Sequence, residues 1–190
     1  MDEEFLKGLK MISLGYDLAT HWCGWGVVEH TEDGLRYLGS GSFELLEASG
    51  TTSWKKDPDV IKILRFLHGH ARDHIEMYRP QLIGVEVAFG WDKYLAMFFA
   101  RISTVIALVG SFYGDAFLVH PSTLKLAVAG NGKATKTQVQ ESICKIFKDN
   151  PNLKIERNTK GNLVEGEEDR FDALGCAITA FQYKGVKLDL

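Results

Sequence analysis

Little in the bulk composition of this chain points to a partner. Its cysteines are few: Cys23, Cys144 and Cys176 are scattered, odd in number and lack paired metal-ligand spacing. That excludes a disulfide framework and fits a reducing compartment. A basic excess is also missing. Lys and Arg number 22 against 25 Asp and Glu, for a formal net charge of −3. No global field therefore draws the chain to nucleic acid, although binding faces are local and a carboxylate-rich site would itself lower the total. No apolar run reaches membrane-spanning length. The opening Met1-Asp2-Glu3-Glu4 has the wrong sign for a secretory signal. Internal repeats and low-complexity stretches are lacking too. These absences lead to the expectation of a soluble, intracellular, cytoplasmic protein. What is present is 190 residues, 45% of them hydrophobic, enough for one proper core. A single domain over 1–190 is expected, with 1–10 as a polar N-terminal arm.

Met11–Asp17 is a short apolar run ending in an aspartate, and it reads as a buried strand. Gly24–His30 and Leu35–Glu44 read as two more strands, joined through the turn signal Asp33-Gly34. Tight turns make the three an antiparallel meander. After a loop over Glu47–Asp57, Asp57 caps and Pro58 opens a long helix. Val60, Ile63, Leu64, Leu67, Ala71, Ile75 and Tyr78 give it an apolar face, and Pro80 stops it. Gln81–Val87 reads as a fourth, interior strand, parallel to the first because a helical crossover precedes it. Phe89-Gly90-Trp91 forms a loop. Asp92–Phe112 is a helix apolar on most faces, hence buried, in a dimer interface or otherwise. Ala116–His120 is a fifth strand. Pro121–Ala129 is a short helix closed by Gly130, and Thr135 caps a helix to Lys148. Asp149–Gly166 is polar and reads as a flexible loop. Glu167–Tyr183 is a last helix with Phe171, Leu174, Ile178 and Phe181 on one stripe. The order βββ-α-β-α-β-α-α-α predicts an α/β fold, a mixed five-stranded sheet with helices on both faces.

Four carboxylates stand where chemistry is plausible. Asp17 ends the first strand. Glu86 interrupts the apolar run Leu82-Ile83-Gly84-Val85, where a buried, unpaired carboxylate is costly. Asp169 and Asp172 are three apart on the last helix and share a face. Singly, Asp17 reads equally as a turn residue, Glu86 as half of a distant salt bridge, and the aspartate pair as a solvated helix start. Together they suggest convergence on divalent cations, and oxygen-only ligands suit Mg²⁺ or Mn²⁺. Two such ions roughly 4 Å apart stabilise the attacking and leaving oxygens of phosphodiester hydrolysis. Residues 123–148 add Lys125, Lys133, Lys136, Lys145 and Lys148 against Glu141 alone. That stripe suits phosphates, or is a solvated helix face. His70 and His74 share a helix face without a third zinc ligand. His21 and Trp22 read first as turn and packing residues, and Trp91 and Tyr94 as base-stacking or packing aromatics.

Asp17 with Gly24-Trp25-Gly26, then Glu86-Val87-Ala88-Phe89, then His120-Pro121 through Lys125, Val128 to Gly132 and Lys136-Thr137-Gln138-Val139-Gln140, and finally Asp169-Arg170-Phe171-Asp172-Ala173-Leu174, occur in that order. The set resembles the RuvC Holliday-junction resolvases of the ribonuclease-H-like superfamily. The resemblance implies a ribonuclease-H-like fold and a homodimeric endonuclease that makes paired nicks in four-way DNA junctions with two Mg²⁺ or Mn²⁺ ions. It implies Asp17, Glu86, Asp169 and Asp172 as metal ligands and Lys125 and Lys136 near the scissile phosphate. Lys133 would contact DNA, and Phe89 would insert at opened base pairs. Leu18-Ala19 replaces the family's Pro-Gly, and the segment before Asp169 is longer. Its Glu168 is a candidate to replace or supplement Asp169. These departures suggest a divergent branch, viral or of a mobile element. Rival readings are a debranching nuclease or ribonuclease H on the same fold, a sugar-kinase-like ATPase, and a non-catalytic DNA-binding protein.

Overall fold

The computed structural model describes residues 10–45, 59–87, 93–148, 150–188 and 190. The expectations for the arm before Lys10, for the 47–57 loop and for Phe89-Gly90-Trp91 fall outside these residues. Among the described residues the elements are β1 (Met11–Leu18), β2 (Trp22–Thr31), β3 (Gly34–Glu44), α1 (Val60–Tyr78), β4 (Leu82–Glu86), α2 (Lys93–Ser111), β5 (Asp115–Val119), α3 (Pro121–Ala129), α4 (Lys136–Ile146) and α5 (Glu167–Tyr183). The sheet order is β3-β2-β1-β4-β5. β1, β2 and β3 pair antiparallel, and β4 lies parallel to both β1 and β5. The mixed five-stranded sheet expected from the element order is thus the observed one.

Strand periodicity divides the core in two. Leu14, Tyr16 and Leu18 of β1 and Ile83 and Val85 of β4 point to one face, where α1 and α2 cover them. On the other face Leu82, Val28 and Val119 meet α3, α4 and α5. There α5 approaches the sheet unusually closely. A Cβ on Gly15 would sit 1.9 Å from the Ala173 carbonyl oxygen, one on Gly24 2.0 Å from that of Asp169, and one on Gly84 2.4 Å from that of Cys176. Only glycine lets the two main chains touch. The residues that follow Gly15 and Gly84 by two, Asp17 and Glu86, point to this same face.

Local signals explain the helix ends, with two differences from expectation. Asp59, not Asp57, caps α1, its side chain accepting from the Lys62 N–H at 3.1 Å. A capping side chain accepts from the second or third residue of the helix, and Lys62 stands third after Asp59 but fifth after Asp57. Thr135 and Gln138 form a reciprocal capping box on α4, and Gly130 closes α3 at φ 67°. The second difference is the segment before α5. Its polar sequence suggested a flexible loop, yet Arg157 and Leu163 form a bridge, and buried Arg170 donates to the Lys154 carbonyl at 2.6 Å. The segment is anchored to the helix it precedes. α2 is buried along one side only: Met97 is 51% and Leu108 56% exposed.

Candidate active site

The pairing that sets Ser13 beside Leu82 and Tyr16 beside Val85, continued by one residue, sets Asp17 beside Glu86. α5, seated on the glycines, brings Asp172 over them. Asp17, Glu86 and Asp172 each offer a carboxylate oxygen, all within 4.8 Å of one another. Asp17 is buried, at 8% exposure. Glu86 and Asp172 are half-buried. Asp169 lies one turn earlier on α5, outside that group of three, but its charge acts on Asp17 and Asp172.

Three negative groups so close, in a partly dry site, cannot all ionise cheaply. Burial, then Asp172, pushes Glu86 up to about 7. Burial pushes Asp169 and Asp172 to about 6 against the opposing pull of Lys136. Asp17 is raised well above the carboxylate range, by burial first and by Glu86 next. The Glu86 Oε2 atom is buried with no hydrogen-bond partner among the described residues. A deeply set acceptor without a donor is costly, and a cation ligated there would remove the cost. The donor set fits a divalent metal ion: carboxylate oxygens only, mutually repelling, open on one side.

The alternative for Glu86 was a salt bridge to a distant base. The one arginine buried in this region, Arg170, pairs with Glu167 instead, Nη2 to Oε1 at 2.6 Å and Nε to Oε2 at 2.9 Å. Lys136, the first residue of α4, points across to α5, and its Nζ lies 2.6 Å from Glu168 Oε2. Burial works against its ammonium, but Glu168, Asp172 and Asp169 together more than offset that, and its pKa is raised. Lys125, half-buried on α3, acts on both Glu86 and Asp172. Two lysines therefore flank the carboxylates. Lys133 is exposed in the turn before α4, its backbone N–H held by Asn131 Oδ1 at 3.0 Å. Phe89 falls outside the described residues. The His70 and His74 pair serves packing: His70 stacks on Phe43 at 4.2 Å, and His74 packs on Trp25 at 4.4 Å and bonds Tyr16 Oη through Nδ1 at 2.8 Å.

Sequence reasoning passed over Arg170 and Glu167. Besides Glu167, Arg170 reaches Ser40 Oγ on β3 at 3.2 Å and lies over the Phe171 ring at 4.9 Å. Glu167 Oε1 also accepts from the Glu156 N–H at 2.7 Å. The pair ties the 154–163 segment, β3 and the start of α5 together, which fixes the turn that carries Asp169 and Asp172. The i,i+3 spacing of Glu167 and Arg170 was the available signal.

A sheet of this order, with a carboxylate at the ends of β1 and β4 and a third on the helix across them, defines a ribonuclease-H-like fold with a nuclease-type acidic centre. Comparison with known proteins agrees. The sequence model of the crossover junction endodeoxyribonuclease RuvC family matches residues 13–180. The RuvC of Polaromonas naphthalenivorans is 30% identical over 171 residues, covering 87% of this chain and 81% of that one. The RuvC of Pseudoalteromonas translucida is 32% identical over 142 residues, covering 72% and 74%. The structure of Thermus thermophilus RuvC in complex with its Holliday junction substrate superposes with a TM-score of 0.67 at 20% identity, covering 92% of this chain and 96% of that one. The chain belongs to the RuvC family of crossover junction endodeoxyribonucleases.

Proposed function

We propose that this protein is a divalent-metal-dependent endodeoxyribonuclease that cuts branched DNA, four-way junctions foremost, as a homodimer making paired nicks. The observation that carries the reading is the Asp17, Glu86 and Asp172 cluster, with the Glu86 Oε2 left without a donor. Asp17, Glu86 and Asp172 hold two Mg²⁺ or Mn²⁺ ions, with Asp169 completing the set. When bound, the ions supply Lewis acidity at the phosphate and an activated water. The chain's own residues do the rest. Lys136 and Lys125 stand where charge develops on the phosphate and stabilise it. Lys133, outward-facing, holds the backbone of an adjacent strand. Phe89 enters the opened base pairs. The exposed stripe of α2, where Met97 and Leu108 flank Arg101 and Thr104, packs on the second copy, because large apolar side chains left in water favour a partner. The chain acts as one domain, inside the cell. Among the described residues no helix is long and apolar enough to cross a membrane.

The deciding experiment sets a synthetic four-way junction beside linear duplex, a Y-fork and an RNA–DNA hybrid, with and without Mg²⁺. Symmetric cleavage of the junction, only with metal and abolished in Asp17→Asn, is expected. Preference for the hybrid would make the protein a ribonuclease H, and equal cutting of fork and junction a general debranching nuclease.

A further inference from the structure

Beside the carboxylates lies a groove that hydrolysis itself does not use. It is an open cleft of about 510 Å³. Trp22 lines it, paired across the strands with Glu44. Asp169, Glu168, Val164 and Glu165 line it too. The indole is held in place. A Cβ on Gly166 would come 2.9 Å from Trp22 Cε3 and 2.4 Å from Ser42 Oγ, so the ring and the serine lie flush against the main chain there. Gly166 also has φ 77°, a conformation that glycine adopts without strain. The result is a fixed aromatic face, only partly buried, next to the reacting centre.

The chemistry of the walls selects the occupant. Phosphate is disfavoured, since four carboxylates, Glu44, Glu165, Glu168 and Asp169, line the groove. A nucleobase suits it on three counts. Its flat face stacks on an indole. Its exocyclic amino group donates to carboxylates, as cytosine N4 does to glutamate. The volume lies in the range of small-molecule sites. Asp169 is one helical turn from Asp172, so the groove adjoins the position of the cut phosphate.

We propose that this groove receives the unstacked base next to the scissile phosphate and selects bases that carry an exocyclic amino group over thymine. The proposal rests on the endonuclease reading and adds the element that sets cleavage sequence preference.

The test uses full-length protein with Mg²⁺ and four-way junctions randomised at the positions flanking the cut, with the product ends sequenced. Wild type should favour amino-bearing bases over thymine at one flanking position by about tenfold or more. Trp22→Ala and Glu165→Gln should each reduce that ratio to about twofold, whereas Trp22→Phe, which keeps a stacking ring, should retain most of it. Glu165 is exposed, so its variant tests the idea even where Trp22→Ala fails to fold. A flat wild-type profile, or a profile unchanged in the Glu165→Gln protein, overturns the groove assignment. Absence of cutting on every junction overturns the endonuclease reading instead.

Discussion

The Lys136 ammonium sits 2.6 Å from the Glu168 carboxylate, joining the first turn of α4 to the first turn of α5. The two side chains are 54% and 45% exposed, so the pair itself adds little to stability, about 0.2–1 kcal/mol. Its importance is positional, because it keeps the ammonium beside Asp169 and Asp172. Lys136→Ala should therefore slow junction cleavage by about 10²-fold while leaving the thermal midpoint almost unchanged. A large drop in the midpoint would show instead that the lysine is mainly a structural tie.

The carboxylates make metal-free stability depend on pH in an uncommon direction. Their folded-state pKa values are raised, Glu86 from 4.5 to about 7 and Asp169 and Asp172 from 3.8 to about 6. Between those limits the folded state binds more protons than the unfolded one, so its stability falls as pH rises. In chelator, the melting temperature should be higher near pH 5.5 than near pH 7.5, by a difference worth a few kcal/mol at about 1.4 kcal/mol per pKa unit. Millimolar Mg²⁺ should erase most of the slope. Identical pH curves with and without metal would count against cation binding at this cluster.

Neutralising one member should separate stability from activity. Glu86→Gln removes a charge that burial and Asp172 disfavour and that Lys136 and Lys125 offset only in part, so the metal-free protein should gain about 1–2 kcal/mol at pH 7.5. Junction cleavage should be lost by 10³-fold or more, about 4 kcal/mol of transition-state stabilisation. Denaturant melts and single-turnover assays on the same preparation measure both. A destabilised Glu86→Gln protein would mean that the carboxylate is satisfied in the native state.

Breaking the Arg170 and Glu167 pair should do the opposite. Both side chains are buried, 9% and 5% exposed, and removing one partner strands the other. Arg170→Ala should cost about 3–5 kcal/mol. It should also loosen the 154–163 segment, which limited proteolysis of the native protein would show as new cuts there. Unaltered proteolysis would place that segment's anchorage elsewhere.

Much of this centre could be read from the chain alone, for identifiable reasons. Glu86 stood out because an acid within an apolar strand is expensive, and Asp172 because helical spacing put it on the Asp169 face. The antiparallel meander followed from its tight turns, and the parallel pairing of β4 with β1 from the helical crossover before it. Other features depend on contacts distant in sequence. No local pattern says that Asp169 falls a turn outside the tight trio, since that depends on how far α5 slides along β1 and β2. Glu168 looked like a spare ligand, and only the packing of α4 against α5 shows Lys136 beside it. Arg170 was passed over although Glu167 stands three residues before it, and its other partners, Lys154 and Ser40, lie 16 and 130 residues away. The α1 cap was misplaced by two residues because Asp57 and Asp59 both flank Pro58, and local composition does not choose between them.

The contact of α5 with the sheet through Gly15, Gly24 and Gly84 bears on how such a protein can diverge. Elsewhere in the core, a substitution changes the thickness of a side-chain layer and the neighbouring elements drift apart or together. Here no such layer exists. The interval between the strands carrying Asp17 and Glu86 and the helix carrying Asp172 is a main-chain contact, insulated from sequence drift in the surrounding hydrophobic residues. A chain can thus exchange most of its core while the ruler that spaces its reactive groups stays the same length. A single added methyl group at one of these three glycines would harm the chemistry more than several conservative changes in the core around them.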